Sequence, residues 1–249
     1  MKIKNTGRGS FKYFPYSRVR KEQDRLVEDL NEFLSSPIKV ALIKGDTGLG
    51  KEVAIASQIA KHKDEFDRII HLIPTDTGKI NIEKEISIIK DKFPELRLPV
   101  VTLKNKRDMC FLFKKIKKEQ RFKEKEIDVY DLCDRHECLE NQAGKCFYYK
   151  NVDKIKESKI IICDYNYVFD TYIRKAVFED MFEKESILLL INEVHELPNR
   201  ITSQFSHHVN LDIFQYVLRE LEGKFLSEED RNKFQKKFRN VSEAIEIVK

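Results

Sequence analysis

Short, continuous apolar runs alternate with stretches of helical spacing along most of this chain. Val40-Ala41-Leu42-Ile43-Lys44 is the first run, and residues 52–62 behind it carry apolar positions at the three-to-four spacing of an α-helix. Arg68-Ile69-Ile70-His71-Leu72-Ile73 reads as a second strand, followed by a helix over 82–93. Pro99-Val100-Val101-Thr102-Leu103, Lys159-Ile160-Ile161-Ile162-Cys163 and Ile187-Leu188-Leu189-Leu190-Ile191 complete the set. Runs of this length and purity suit parallel strands covered on both faces, so the pattern predicts a doubly wound α/β core. A long polar stretch separates the third and fourth runs. From about 211 to 249 the spacing reads as helices, with Ser227-Glu228-Glu229-Asp230 as a capping box ahead of the last.

Composition narrows the classes. At 249 residues the chain suits one domain with an insertion. Charged residues make up 36% but the net charge is only +5, so nucleic-acid binding requires a local patch. No run approaches the ~20 apolar residues that span a bilayer, and the amino terminus lacks a charged-then-apolar signal. The five cysteines are odd in number and unevenly spaced. A reducing, cytoplasmic location is expected, where clustered thiols serve as metal ligands.

Three stretches carry chemistry. Gly45-Asp46-Thr47-Gly48-Leu49-Gly50-Lys51 follows a strand-like run and opens a helix, a pattern whose backbone N–H groups, helix terminus and lysine cradle phosphates. The next position takes Ser or Thr for Mg²⁺ in this pattern, and here it is Glu52. Asn192-Glu193-Val194-His195 ends another apolar run. In P-loop enzymes that strand ends in Asp, which holds the magnesium, and the following Glu polarises the attacking water. Between these lie Cys110, Cys133, Cys138 and Cys146, with four, then seven residues separating the last three. Four thiolates hold either zinc or an iron–sulfur cluster, and spacing alone does not choose. Cys163, inside a strand run, reads as a buried apolar residue. Lys106, Arg107, Lys114, Lys115, Lys117 and Lys118 crowd the same stretch, with Tyr148 and Tyr149 beyond it. They read either as a solvated helix face or as a track for single-stranded DNA, with lysines on phosphates and rings under bases.

Taken in order along the chain, these motifs resemble the iron–sulfur DNA helicases of the XPD/DinG family. Phe14-Pro15-Tyr16, with Arg20 and Gln23 after it, resembles the family's adenine-side motif. Asn105-Lys106-Arg107-Asp108-Met109-Cys110 and Cys146-Phe147-Tyr148-Tyr149 resemble the first and last ligand segments of its cluster, and Tyr165-Asn166-Tyr167 resembles its strand end. The resemblance implies a RecA-like P-loop sheet over 1–103 and 152–205, an iron–sulfur insertion over 104–151, and a helical partial arch over 206–249. It implies an ATP site of Tyr16, Arg20, Gln23, Gly45, Thr47, Gly48, Leu49, Gly50, Lys51, Glu52 and Asn192, with Lys51, Glu193 and His195 as the catalytic set. It favours a four-iron four-sulfur cluster on Cys110, Cys133, Cys138 and Cys146, and single-stranded DNA as partner. The family box is Asp-Glu-Ala-His, so Glu193 and His195 match while Asn192 does not. Glu52 and Asn192 together read either as a swapped pair, Glu52 facing the cation or hydrogen-bonding the amide, or as decay of the site. The implied activity is that of a helicase motor half needing a second motor domain from another chain for hydrolysis and unwinding; the alternative is a non-hydrolysing iron–sulfur DNA-binding or adaptor protein. The family places a strand from beyond the arch between the P-loop strand and the acidic-box strand; without it both would have open edges, unless the two strands close up, the tail supplies a strand from Ala244-Ile245-Glu246-Ile247-Val248, or another chain does.

Overall fold

A computed structural model describes residues 9–46, 48–110, 138, 144 and 146–205. Residues 206–249, with the expected tail helices and capping box, lie outside the described residues, as do Thr47, Cys133, Lys114, Lys115, Lys117 and Lys118. The chain divides into two compact units, 1–197 and 198–249.

The first helix, α1 (Gln23–Leu34), buries Leu26, Val27 and Leu30 along one side. α2 (Lys51–His62) packs on it through Val53 and Ala54, joined by Phe14 and Val19. β1 (Arg68–Leu72) leads into α3 (Asp76–Lys92), which starts six residues before the periodicity predicted. The reason is a cap: Thr75 Oγ1 accepts from Gly78 N–H at 3.1 Å, satisfying a first-turn donor. β2 (Val100–Thr102) is followed by α4 (Lys106–Met109), α5 (Phe147–Lys154) and β3 (Ile160–Cys163). Three short helices follow, α6 (Asn166–Phe169), α7 (Thr171–Phe178) and α8 (Met181–Lys184). β4 (Ile187–Ile191) precedes the acidic box, and α9 (Leu197–Phe205) closes the described chain.

Among the described residues the sheet is parallel throughout, in the order β2-β3-β1-β4. Period-two alternation splits it between two cores. Ile69, Ile73, Ile160, Ile162 and Leu188 face α2 and α3, meeting Ile59, Ile82, Ile86 and Ile89. Ile70, Leu72, Val101, Ile161 and Cys163 face Val152, Tyr167, Phe178 and Met181 on the opposite layer. β3 is wholly buried, and each of its isoleucines contributes about 1.5–3 kcal/mol by leaving water. The three-layer α/β architecture predicted from the apolar runs is therefore present.

One predicted strand is not. Residues 40–44 adopt no regular structure, and Val40 and Leu42 stand 83% and 81% exposed. The adjoining edge accounts for this. Ser186 O accepts from Arg68 N–H at 3.1 Å and Asn192 N–H donates to Leu72 O at 2.9 Å, so even-numbered residues of β4 aim their backbone at β1. Ile187, Leu189 and Ile191 aim theirs outward, where no described strand pairs with them. Of the two open edges expected from the resemblance, the described residues show the one on β4, while the P-loop run forms no strand. An apolar run becomes a strand only when a neighbour takes its N–H and C=O groups, and none of the described residues does so for 40–44.

Candidate nucleotide site and cysteine segment

The glycine loop leaves residues 40–44 and turns through Gly48 (φ 83°) and Gly50 (φ 84°), left-handed positions that glycine adopts without penalty. Gly50 caps α2, so the loop's last turn meets the helix N-terminus as the sequence predicts. Lys51 Nζ donates to Gly45 O at 3.2 Å and is thereby folded over the loop. From the other side, Arg20 Nη1 donates to Gly48 O at 2.7 Å and Gln23 Nε2 donates to Gly50 O at 3.0 Å. A Cβ on Gly50 would run into that same Gln23 nitrogen, a second reason for glycine there. Tyr16 stands apart from these contacts. Its hydroxyl donates to Glu85 Oε2 at 2.9 Å, and partial burial followed by the Glu85 carboxylate raises its pKa. Pro15 O accepts from Lys92 Nζ at 2.6 Å, which fixes the segment carrying Tyr16 to α3.

At the carboxyl end of β4, Asn192 Oδ1 accepts from Glu193 N–H at 3.1 Å. That amide oxygen therefore caps the backbone turn. Glu193 sits at φ 52°, ψ 45°, a left-handed conformation that costs a non-glycine residue about 1 kcal/mol or more. Tyr165, fully buried, holds the bend: its hydroxyl donates to Asn192 O and lies 3.1 Å from Glu193 O. His195 Nδ1 is 3.5 Å from Glu193 Oε2 at the surface. Among the described residues no hydrogen bond or ion pair joins Glu52 to Asn192, so the hydrogen-bonded form of the swapped pair is absent. Nor do three His, Cys, Asp or Glu side chains converge on a metal position there.

Across the sheet, Cys110 ends α4 and Cys146 caps α5, two helices in contact. Cys110, Cys138 and Cys146 are partly exposed, whereas Cys163 is buried and its thiol pKa is pushed far up by burial. Thiolates from partly exposed positions are suitable donors for a cluster, and the fourth of the predicted set, Cys133, lies outside the described residues. Lys106 Nζ lies 5.3 Å from the ring centres of both Tyr148 and Tyr149, which meet edge to face at 5.2 Å. Arg107 shares α4, its N–H bonded to Asn105 Oδ1 at 3.0 Å. A cavity of about 480 Å³ opens beside them against β2, lined by Thr102, Lys104, Met109, Phe147 and Lys154.

Sequence reasoning left the two tyrosines after β3 without a task. Tyr165 braces the acidic box, and Tyr167 donates to Lys104 O at 2.9 Å at the entrance to the cysteine segment. One short turn thus touches both places. Only the Tyr-Asn-Tyr resemblance singled the segment out, and it did not assign these contacts.

A parallel sheet with a glycine loop and an acidic box at its helix and strand ends defines a P-loop motor-like α/β protein. The DEAD_2 family model matches residues 77–213, and the chain belongs to that family of XPD/DinG-type helicase domains. Two solved structures are similar: one titled XPD helicase (19% identity, TM-score 0.51, covering 74% of this chain and 34% of that one), the other titled truncated XPD (18%, 0.54, 87% and 63%). The chain thus spans about a third and under two thirds of their lengths. No curated protein matches it.

Among the described residues no helix is long and apolar enough to cross a membrane.

Proposed function

We propose that this chain is one half of a DNA helicase motor, which binds ATP and single-stranded DNA and hydrolyses ATP together with a second motor domain from another chain. Supporting this is the combination, in one DEAD_2 chain, of a braced glycine loop bearing Lys51 with a box that retains Glu193. Lys51 would meet the phosphates, Glu193 the attacking water, and His195 the Glu193 carboxylate. DNA would run over Lys106, Arg107, Tyr148 and Tyr149 and the lysines at 114, 115, 117 and 118, since paired rings and amines suit stacking and phosphate contact. Residues 104–151 form the cluster-bearing part, 1–103 with 152–205 the motor, and 206–249 part of an arch.

Binding to a fluorescent oligodeoxythymidine should weaken steeply with salt. Charge reversal at Lys114, Lys115, Lys117 and Lys118 should flatten that dependence by as many as about three to four counterions. An unchanged slope would mean a solvated helix face with no DNA on it.

The cluster would be held by Cys110, Cys133, Cys138 and Cys146, where an iron–sulfur group ties the segment's ends together. Anaerobically purified protein should be brown with about four irons per chain. Cys→Ser at any of the four should lose the iron and Cys163→Ser should retain it, as its burial in β3 implies. Colourless protein with one zinc per chain would overturn the iron assignment.

A second reading is favoured by the metal corner. Glu52 stands where a hydroxyl belongs, and the Asn192 oxygen is engaged with the backbone. On that reading the chain binds DNA as an adaptor and does not hydrolyse ATP.

A further inference from the structure

Gln23 occupies the place where the family resemblance calls for a reader of adenine, and its surroundings give it other work. The side chain is 2% exposed. Its Oε1 accepts from Arg20 N–H at 3.1 Å, and its Nε2 donates to Gly50 O while lying directly against the Gly50 Cα. An amide reads adenine by offering a donor and an acceptor together to one base edge. Here one of each is committed to the protein's own backbone, and the group lies inside the joint between α1 and the loop. Arg20 is engaged likewise, with Gly48 O. Of the three residues assigned to the base, Gln23 is buried, Arg20 is exposed with its Nη1 engaged by Gly48 O, and Tyr16 is 40% exposed with its hydroxyl taken by Glu85. What remains for a base is the face of the Tyr16 ring and the exposed plane of the Arg20 guanidinium, and every base has a π-face to stack on either.

We infer that this nucleotide site selects the phosphate chain and not the base: Gln23 and Arg20 are positioning residues for the glycine loop, and the site takes purine and pyrimidine nucleoside triphosphates alike. The inference rests on the proposed nucleotide binding and deepens it. A site that hydrogen-bonds a base edge rejects the wrong base by orders of magnitude, because its own buried groups are left unpaired. A stacking face discriminates only by stacking strength, a few-fold effect.

The test is competition of ATP, GTP, CTP and inorganic tripolyphosphate against a fluorescent ADP analogue on the whole chain. The expected result is ATP and GTP within about fivefold of each other, CTP somewhat weaker, and measurable competition by tripolyphosphate. ATP tighter than GTP by about a hundredfold or more would overturn the inference while leaving nucleotide binding intact. If neither the ADP analogue nor any competitor binds, the proposed nucleotide site falls and the inference with it. Gln23→Ala, checked for folding by circular dichroism, separates the two roles. A positioning role lowers affinity for ATP, GTP and tripolyphosphate by the same factor, whereas a base-reading role lowers it for ATP alone.

Discussion

Mixed with a second motor domain that carries an arginine finger, this chain is expected to turn over ATP about 10³–10⁵ times faster than it does alone, the range such a finger typically contributes. The reason lies in what the described site holds and what it does not. On the proposed reading the loop glycines and Lys51 would bind phosphate, and Glu193, just after β4, would face the water. The metal corner is altered, but restoring it by Glu52→Thr with Asn192→Asp still leaves the developing charge on the phosphoryl group without an arginine finger. The double variant alone should therefore gain less than partner addition does. Among the described residues, the outward-facing backbone of Ile187, Leu189 and Ile191 and the apolar run at 40–44 have no strand partner. Steady-state phosphate release, with and without single-stranded DNA and partner, is the measurement. Brisk DNA-stimulated turnover by the isolated chain would refute the proposal. No turnover even with partner and restored corner would leave the adaptor reading.

The second large effect concerns stability. His71 lies in the middle of β1, 2% exposed, and its Nδ1 has no hydrogen-bond partner among the described residues. Burial pulls its pKa down to about 4 from the ordinary 6.5, because an imidazolium there would have no water around it. The unfolded chain takes up a proton near pH 6.5 that the folded chain refuses until about pH 4. Stability from this group is therefore complete above pH 6.5 and is lost as the pH falls towards 4, by about 3 kcal/mol in all. His71→Leu should remove that portion of the slope. Urea midpoints at pH 7 and pH 4 check it: the variant should lose about 3 kcal/mol less than the parent across the interval, because the carboxylates common to both cancel in the comparison. Equal losses would show that His71 is protonated without penalty.

The sheet was largely legible because its residues carry the constraint locally. Ile160-Ile161-Ile162 and Ile187-Leu188-Leu189-Leu190-Ile191 have no polar face to give to water, which favours strands with a layer on each side, and they form β3, wholly buried, and β4, partly buried. The glycine loop was legible for a similar reason: Gly48 and Gly50 occupy the left-handed backbone that the pattern calls for, directly before a helix. Val40-Ala41-Leu42-Ile43-Lys44 has equal apolarity and yet is no strand. Strand formation is decided by a neighbour's hydrogen bonds, and hydrophobicity alone does not supply them.

The site divides along the same line. Sequence alone determined which chemical groups are available: a lysine after a glycine loop, Glu193 without its preceding Asp, and four thiols close together in the chain. Only the tertiary structure decided what those groups touch. Gln23 reads as a base-binding amide until Gly50, 27 residues away, is seen to take its N–H. Tyr165 has only its resemblance to a strand end in the sequence, and its hydroxyl is found on the Asn192 carbonyl, also 27 residues on. A side chain's hydrogen-bonding capacity belongs to its chemistry, but the partner that uses it up is set by how distant segments pack.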